Sequence, residues 1–305
     1  MPNKAISVPT FLVTGSNGQV GFELRRSLAP LGRVVALDRT GCDLSCPDEI
    51  RRMVREYRPD VIVNPGAYTA VDEAETEPDL AFAINGTAAG ILAEEAKALG
   101  SLLVHYSTDY VFDGTKNGTY IETDLVNPLS VYGKSKLAGE QAITATGAQS
   151  LILRTCWAAG AHGGNFAKTM LRLGRERESL RVIADQFGAP TTATLIADVT
   201  AQIVGRRWLC GDRMSFPSGL YHLAAAGETT WHAYATEVLR YAAAHGIELK
   251  VDPGCIEPIP ATAYPLPAPR PANSRLDTSK LRQTFDIHLP DWQQGVHFLL
   301  DQIIS

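Results

Sequence analysis

The stretch from residue 11 to residue 38 constrains the fold more than any other. Phe11-Leu12-Val13 is a short apolar run that stops at Thr14-Gly15, the pattern of a buried strand. Thr14-Gly15-Ser16-Asn17-Gly18-Gln19-Val20-Gly21 then places three glycines at the spacing G-x-x-G-x-x-G. An amphipathic helix follows, with Leu24, Leu28 and Leu31 at i, i+4 and i+7, closed by Pro30 and Gly32. A second strand, Val34 to Leu37, ends at Asp38. A tight strand-to-helix turn needs positive φ, and backbone that approaches a phosphate closely needs residues without Cβ. The helix N-terminus adds free N–H groups and a positive dipole end. In this order, strand, glycine turn, helix, strand and acid predict a dinucleotide site built on Gly15, Gly18 and Gly21. Asp38 stands where a carboxylate accepts from ribose hydroxyls, which favours NADH, whereas Arg39 beside it suits the 2′-phosphate of NADPH. Both cofactors stay open. Asp43 and Leu44, just past the second strand, either flank the adenine or form a plain loop.

The alternation continues. Ser45 is a plausible cap and Pro47 a first-turn residue for a helix carrying Ile50, Met53, Val54 and Tyr57. Val61-Ile62-Val63 is a third strand, and an alanine-rich helix is expected from about Pro78 to Leu99. Leu102 to Tyr106 is a fourth strand, about Ser130 to Ala145 a helix, and Leu151 to Leu153 a further strand. Continuous apolar strands alternating with helices predict α/β: a Rossmann-type doubly wound parallel sheet.

The pattern loosens after about Ala158. Helices are expected near Phe166–Arg177, Ala193–Trp208, Trp231–Ala244 and Trp292–Ile303, with a short strand at Leu220–Leu223. Prolines recur between Pro258 and Pro271 and should hold an extended loop. We expect a dinucleotide domain over 1–160 plus about 193–224. A smaller C-terminal α/β substrate lobe is expected over about 161–192 and 225–305.

A formal charge of −5 over 305 residues argues against a nucleic acid polymer or an anionic membrane surface as the main partner. No apolar run reaches the length of a membrane helix, and residues 1–10 hold no apolar leader block. The five cysteines show no Cys-x-x-Cys pair, which fits free thiols in a reducing cytoplasm and no metal site.

Tyr132-Gly133-Lys134-Ser135-Lys136 contains Tyr-x-x-x-Lys, and on a helix i and i+4 share a face. An ammonium beside a phenol is expected to lower the phenol's pKa toward working pH. The tyrosine then donates a proton to a ketone oxygen as hydride reaches its carbon, while the lysine can also bond the nicotinamide ribose. The fourth strand ends in Ser107-Thr108-Asp109-Tyr110 on the same rim. Thr108 is the candidate third donor to the carbonyl, with Ser107 as runner-up.

Several longer stretches resemble the dTDP-4-dehydrorhamnose reductase family, of the extended short-chain dehydrogenase/reductase superfamily. These are the glycine loop, Val63 to Asp72, His105 to Gly114, Pro128 to Lys136, Arg154 to Trp157, Asn165 to Leu171, Asp185 to Thr191 and Arg270 to Leu276. They cover nearly the whole chain in order. The resemblance implies reduction of the C4 ketone of dTDP-4-dehydro-L-rhamnose to dTDP-L-rhamnose by NADPH or NADH, with Thr108, Tyr132 and Lys136 catalytic. It implies Gln19, Val20, Gly21, Asp38, Asp43, Leu44, Ala67, Tyr68 and Thr69 along the cofactor. Thr108, Asp109 and Trp157 would meet the sugar nucleotide. Asn165, Arg270 and Arg275 would bind its diphosphate, or else be a helix cap and surface charges.

Two departures stand out. Asn64-Pro65-Gly66-Ala67 replaces an asparagine followed by alanines. Some members also hold magnesium between subunits. Glu23 matches one ligand position, but Thr194 and Gln293 stand where other acids would be. This leaves magnesium, and the homodimer built around it, in doubt. Rival readings are a reductase of another dTDP-deoxysugar 4-ketone and a non-catalytic NAD(P)-binding regulatory subunit. A 4,6-dehydratase would need Asp-Glu after the threonine, where Asp109-Tyr110 stands.

Overall fold

The computed structural model describes residues 8–304; most of the N-terminal segment read above as free of a leader lies outside them. Six parallel strands make the central sheet: β1 (Thr10–Val13), β2 (Arg33–Ala36), β3 (Val61–Asn64), β4 (Leu102–Thr108), β5 (Ser150–Thr155) and a sixth, Gly219–His222. Their spatial order is sixth, β5, β4, β3, β1, β2.

Alternate residues of the strands feed opposite cores, as a period of two requires. Phe11, Val13, Val61, Val63, Val104 and Leu153 pack with Leu24 and Leu28 of the Gln19–Leu28 helix and with Ile196, Val199 and Ile203 of the Ala193–Ile203 helix. Leu12, Ile62, Leu103 and Ile152 face the other way, onto Ile50, Met53 and Val54 of the Pro47–Tyr57 helix and onto Ile91 and Leu92. Each such side chain, fully buried, contributes roughly 1.5–3 kcal/mol. The sheet is therefore covered on both faces, as expected. β2 departs from the buried pattern because it is an edge strand: its four residues are exposed or half-buried.

A second core lies in the C-terminal half. Ala167, Met170 and Leu171 of Phe166–Glu176 meet Tyr234, Val238 and Leu239 of Trp231–Ala244 and Val296, Leu299 and Leu300 of Trp292–Ile303. Leu281, Phe285, Ile287 and Leu289 fall in the span expected for the smaller lobe, yet they pack into the sheet core.

Local differences have local causes. Ser45 does not cap the second helix; its N–H and hydroxyl both donate to Asp43 Oδ1, and Cys46 takes the cap position. The expected helix from Pro78 to Leu99 breaks into Pro78–Phe82, a π turn Ala83–Thr87 and Ala88–Leu99. The π turn carries Asn85 inward, where it bonds Tyr68 and Ser135. The helix from Ala193 likewise ends at Ile203 and continues as a π turn, Val204–Leu209. Pro258 sits in a two-strand ladder, Glu257–Ile259 beside Arg181–Ile183, a pair with no central strand for proline to disrupt.

Candidate active site

From β1 the chain passes to β2 through a helix on one face of the sheet; from β3 it reaches β4 through helices on the other. The crevice between the carboxyl ends of β1 and β3 is thus the topological switch point, where open α/β sheets bind ligands. Gly15 follows β1 at φ +51°, and a β-carbon on it would lie 2.5 Å from Gly66 Cα after β3. A β-carbon on Gly21 would lie 2.2 Å from the Gly15 carbonyl oxygen. Both positions demand glycine. Gly18 precedes the first helical residue, Gln19. Asn64-Pro65-Gly66 matters here: Gly66 lets the two turns meet.

A cleft of about 410 Å³ opens beside this contact, lined by Gly15, Arg39, Asp43, Leu44, Ala67, Tyr68 and Thr69. All seven were expected at the cofactor. Cys42, Gly66 and Glu73 also line it; no local spacing signals them, since only the fold brings them there. Val20 packs against the sheet core. Gln19 Oε1 accepts from the Gly160 amide at 2.7 Å.

Asp38 organises its own loop. Its Oδ1 accepts from the Thr40 amide and hydroxyl and the Gly41 amide, and its Oδ2 accepts from Asn17 at 2.8 Å. These bonds, the Thr40 hydroxyl first, hold its carboxyl below the usual range. Arg39 is well exposed and touches only Asp43, at 3.8 Å.

Tyr132 and Lys136 lie in the Val131–Thr146 helix. Ser130 caps it, accepting from the Gly133 amide at 3.1 Å. Gly133 is pressed on the Tyr110 carbonyl, where a β-carbon would come within 2.3 Å, and the Tyr132 ring meets the Tyr110 ring edge-on at 5.5 Å. These contacts fix the helix start over the end of β4. Burial pushes the Tyr132 phenol up to about 12, while the Thr108 hydroxyl beside it pulls the other way. Lys136 is buried. Its Nζ donates to the Tyr106 carbonyl at 2.6 Å and lies 3.2 Å from His105 Nε2. Burial draws the ammonium down to about 8, opposed by Glu140.

This corrects one expectation: the lysine does not depress the phenol in this arrangement. Lys136 Nζ bonds the Tyr106 carbonyl of β4 instead, and desolvation of the phenolate is the leading effect on Tyr132.

Thr108 Oγ1 donates to Asp109 Oδ1 at 3.1 Å and accepts from the Tyr110 amide. Ser107 is committed elsewhere: its hydroxyl donates to Glu140 at 2.5 Å, and Glu140 is paired with buried Arg154. Asp109 is 2 % exposed with Oδ2 unpartnered, and burial pushes its carboxyl up to about 6. Trp157 has φ +46° and stacks on Trp231 with centroids 3.7 Å apart.

Asn165, Arg270 and Arg275 already have partners. Asn165 caps Phe166–Glu176 through the Lys168 amide and donates to Gln19 and Gly160. Arg270 makes a two-pronged pair with Asp72, both contacts 2.7 Å. Arg275 bonds Asn273 and Glu228.

Residues 10–305 match the family model described as the RmlD substrate binding domain. The chain is 49 % identical over 294 residues to dTDP-4-dehydrorhamnose reductase of Burkholderia thailandensis, covering 96 % of this chain and 99 % of that protein. It is 48 % identical to the enzyme of that name from Escherichia coli K12, covering 96 % and 98 %. Among solved structures it resembles dTDP-4-dehydrorhamnose reductase of Bacillus anthracis in complex with NADP, with TM-score 0.87, 32 % identity and coverage of 97 % and 99 %. A Clostridium acetobutylicum structure of the same name matches with TM-score 0.87, 34 % identity and coverage of 97 % and 100 %. With the whole described sheet and both glycine turns inside the matched span, this chain belongs to the RmlD substrate binding domain family.

Proposed function

We propose that the protein is an NAD(P)H-dependent oxidoreductase that reduces the C4 ketone of dTDP-4-dehydro-L-rhamnose to dTDP-L-rhamnose. The observation that carries this is the packing of Tyr132 and Gly133 on Tyr110, two residues past Thr108 at the carboxyl end of β4, in a chain 49 % identical to a protein named for that reduction.

The Gly15–Gly66 contact, the helix N-terminus at Gln19 and the cleft past β2 and β3 fit a dinucleotide. When bound, NAD(P)H supplies the hydride. Tyr132 keeps its proton at neutral pH because burial holds the phenol near 12. It is thus in the form that ketone reduction consumes, and it donates that proton to the ketone oxygen. Thr108 Oγ1, swinging its hydroxyl proton off Asp109 Oδ1, gives a second hydrogen bond to the same oxygen as charge develops there. Lys136, one turn along, gives a donor to the nicotinamide ribose.

Trp157 and Asp109 meet the sugar nucleotide in this reading. Asn165, Arg270 and Arg275 face the diphosphate only by giving up partners: Arg270 would leave Asp72 and Arg275 would leave Glu228. Among the described residues no helix is long and apolar enough to cross a membrane. We place the protein in the cytoplasm, where its nucleotide-sugar substrate and reduced cofactor are at hand.

The test is to mix the protein with NADPH or NADH and dTDP-4-dehydro-L-rhamnose, follow loss of reduced nicotinamide, and identify the sugar by NMR. Cofactor oxidation with dTDP-L-rhamnose as product is expected. Cofactor binding without turnover would replace this reading by the silent subunit, and turnover only with a different dTDP-4-keto sugar would replace the substrate.

A further inference from the structure

One buried polar chain crosses three adjacent strands beneath the crevice, and the reduction as written makes no use of most of it. Thr14 follows β1, Asn64 ends β3, His105 lies within β4, and Lys136 comes down from its helix; each is 1 % exposed. Thr14 Oγ1 donates to Asn64 Oδ1 at 2.5 Å. Asn64 Nδ2 lies 3.0 Å from His105 Nδ1, and His105 Nε2 lies 3.2 Å from Lys136 Nζ. Burial, with the Lys136 charge, keeps the imidazole neutral.

A neutral imidazole donates from one nitrogen and accepts at the other. With the Asn64 amide oxygen toward Thr14, Asn64 donates to Nδ1. Nε2 then holds the proton and suits a neutral Lys136 amine. An ammonium cannot accept from it. With the amide turned over, Nδ1 donates to the amide oxygen and Nε2 accepts from the Lys136 ammonium. Asn64 Nδ2 then donates to Thr14 Oγ1. Both arrangements pair every contact along the chain, the second releasing the Thr14 hydroxyl proton from Asn64. They differ in the protonation of Lys136, and the far end of the chain is the residue next to Gly15.

We propose that His105 is a positioning residue for Lys136: gripped by Asn64, it aims Nζ and exchanges tautomer as the lysine gains or loses its proton. The charge facing Lys136 from its own helix is Glu140, itself tied to Arg154 and Ser107. The role rests on the reductase reading only in its kinetic arm; the spectroscopic arm needs no substrate.

The experiment has two arms. In protein labelled with ¹⁵N-histidine, the His105 ring nitrogens are followed by NMR from about pH 6.5 to 9.5, a span that brackets the Lys136 titration. The proton is expected on Nδ1 at the acid end and on Nε2 at the alkaline end, with no exchange in Lys136→Met. In the kinetic arm, His105→Phe removes the acceptor. An ammonium loses more by this than an amine, because charge-assisted bonds are stronger. The alkaline limb of kcat should therefore move to lower pH by about one unit, with kcat down about 10- to 100-fold and KM for the sugar little changed. His105→Gln, whose Oε1 can accept from Nζ, should restore most of both. A single tautomer throughout the pH range overturns the proposal, as does a Gln variant no better than Phe. If His105→Phe does not fold, Asn64→Ala takes its place: it frees the imidazole and should move the limb in the same direction, and an unmoved limb overturns the proposal.

Discussion

Gln19 Oε1 and the Gly160 amide lie 2.7 Å apart, and this bond ties the start of the glycine-loop helix to the segment entering the second core. Asn165 Nδ2 donates to the same oxygen at 3.1 Å and to the Gly160 carbonyl at 2.7 Å. Nearby, the His162 ring stacks on Phe22 at 4.5 Å and its Nε2 lies 3.0 Å from the Asn17 carbonyl. Gln19 is thus the centre of a clamp between the cofactor turn and the C-terminal half, with His162 beside it. Gln19→Ala removes two hydrogen bonds and should cost about 1–2 kcal/mol of stability, read by urea unfolding. It should also raise KM for both cofactor and sugar, because the clamp is then held by His162 without its central bonds. A raised cofactor KM with unaltered sugar KM would mean the clamp serves the turn alone.

Much of the fold was legible because the strands are apolar and evenly interrupted. β1, β3, β4 and β5 fall where apolar runs do, and the Trp231–Ala244 and Trp292–Ile303 helices match their patterns end to end. What escaped reading depends on contacts distant in sequence. The π turn at Ala83–Thr87 arises from packing: a β-carbon on Gly139 would meet the Asn85 carbonyl at 2.2 Å. The Ser279–Phe285 helix is one short amphipathic turn pair, with Leu281 and Phe285 as its only buried residues. Among the candidate site residues, Tyr132, Lys136 and Thr108 were visible from spacing and strand position. His105 and Asn64 were not, since a histidine and an asparagine inside strands look like any buried polar residue until their neighbours are known.

Arg39 is the residue expected to weigh the choice between the two nicotinamide cofactors. Asp38 is engaged by Asn17, Thr40 and Gly41, while Arg39 has only its long contact to Asp43 to lose. A 2′-phosphate can therefore recruit the guanidinium without breaking a short ion pair. Arg39→Ala should raise KM for NADPH by about tenfold or more, the loss of one charge-assisted contact, and leave KM for NADH nearly unchanged. Parallel changes for both cofactors would remove Arg39 from discrimination.

Tyr132→Phe keeps the ring against Tyr110 and deletes only the acid. Turnover should fall by about 10²- to 10⁴-fold, while cofactor affinity, measured by quenching of protein fluorescence, stays within about twofold because the glycine turns are untouched. Full turnover in this variant would move the proton source to another group, Asp109 being the buried acid whose charge reaches the phenol.

Asp109 gives the fold a signed pH dependence. Its carboxyl is raised from an ordinary 3.8 to about 6 by burial, against the pull of Ser274 and Thr108. A raised acid binds more protons in the folded than in the unfolded chain between these two values, so stability falls as pH rises from about 4 to about 6. The full penalty, on the order of 2–3 kcal/mol, is present at neutral pH and absent below the unfolded value. Asn in its place carries no such penalty and fills nearly the same volume. Asp109→Asn should therefore match the parent protein near pH 4 and exceed it in stability near pH 7, as read from urea midpoints at each pH. Its turnover should lose the dependence that the parent shows across the same window. A variant less stable than the parent at neutral pH would mean that the carboxylate is held by a partner besides the Thr108 hydroxyl.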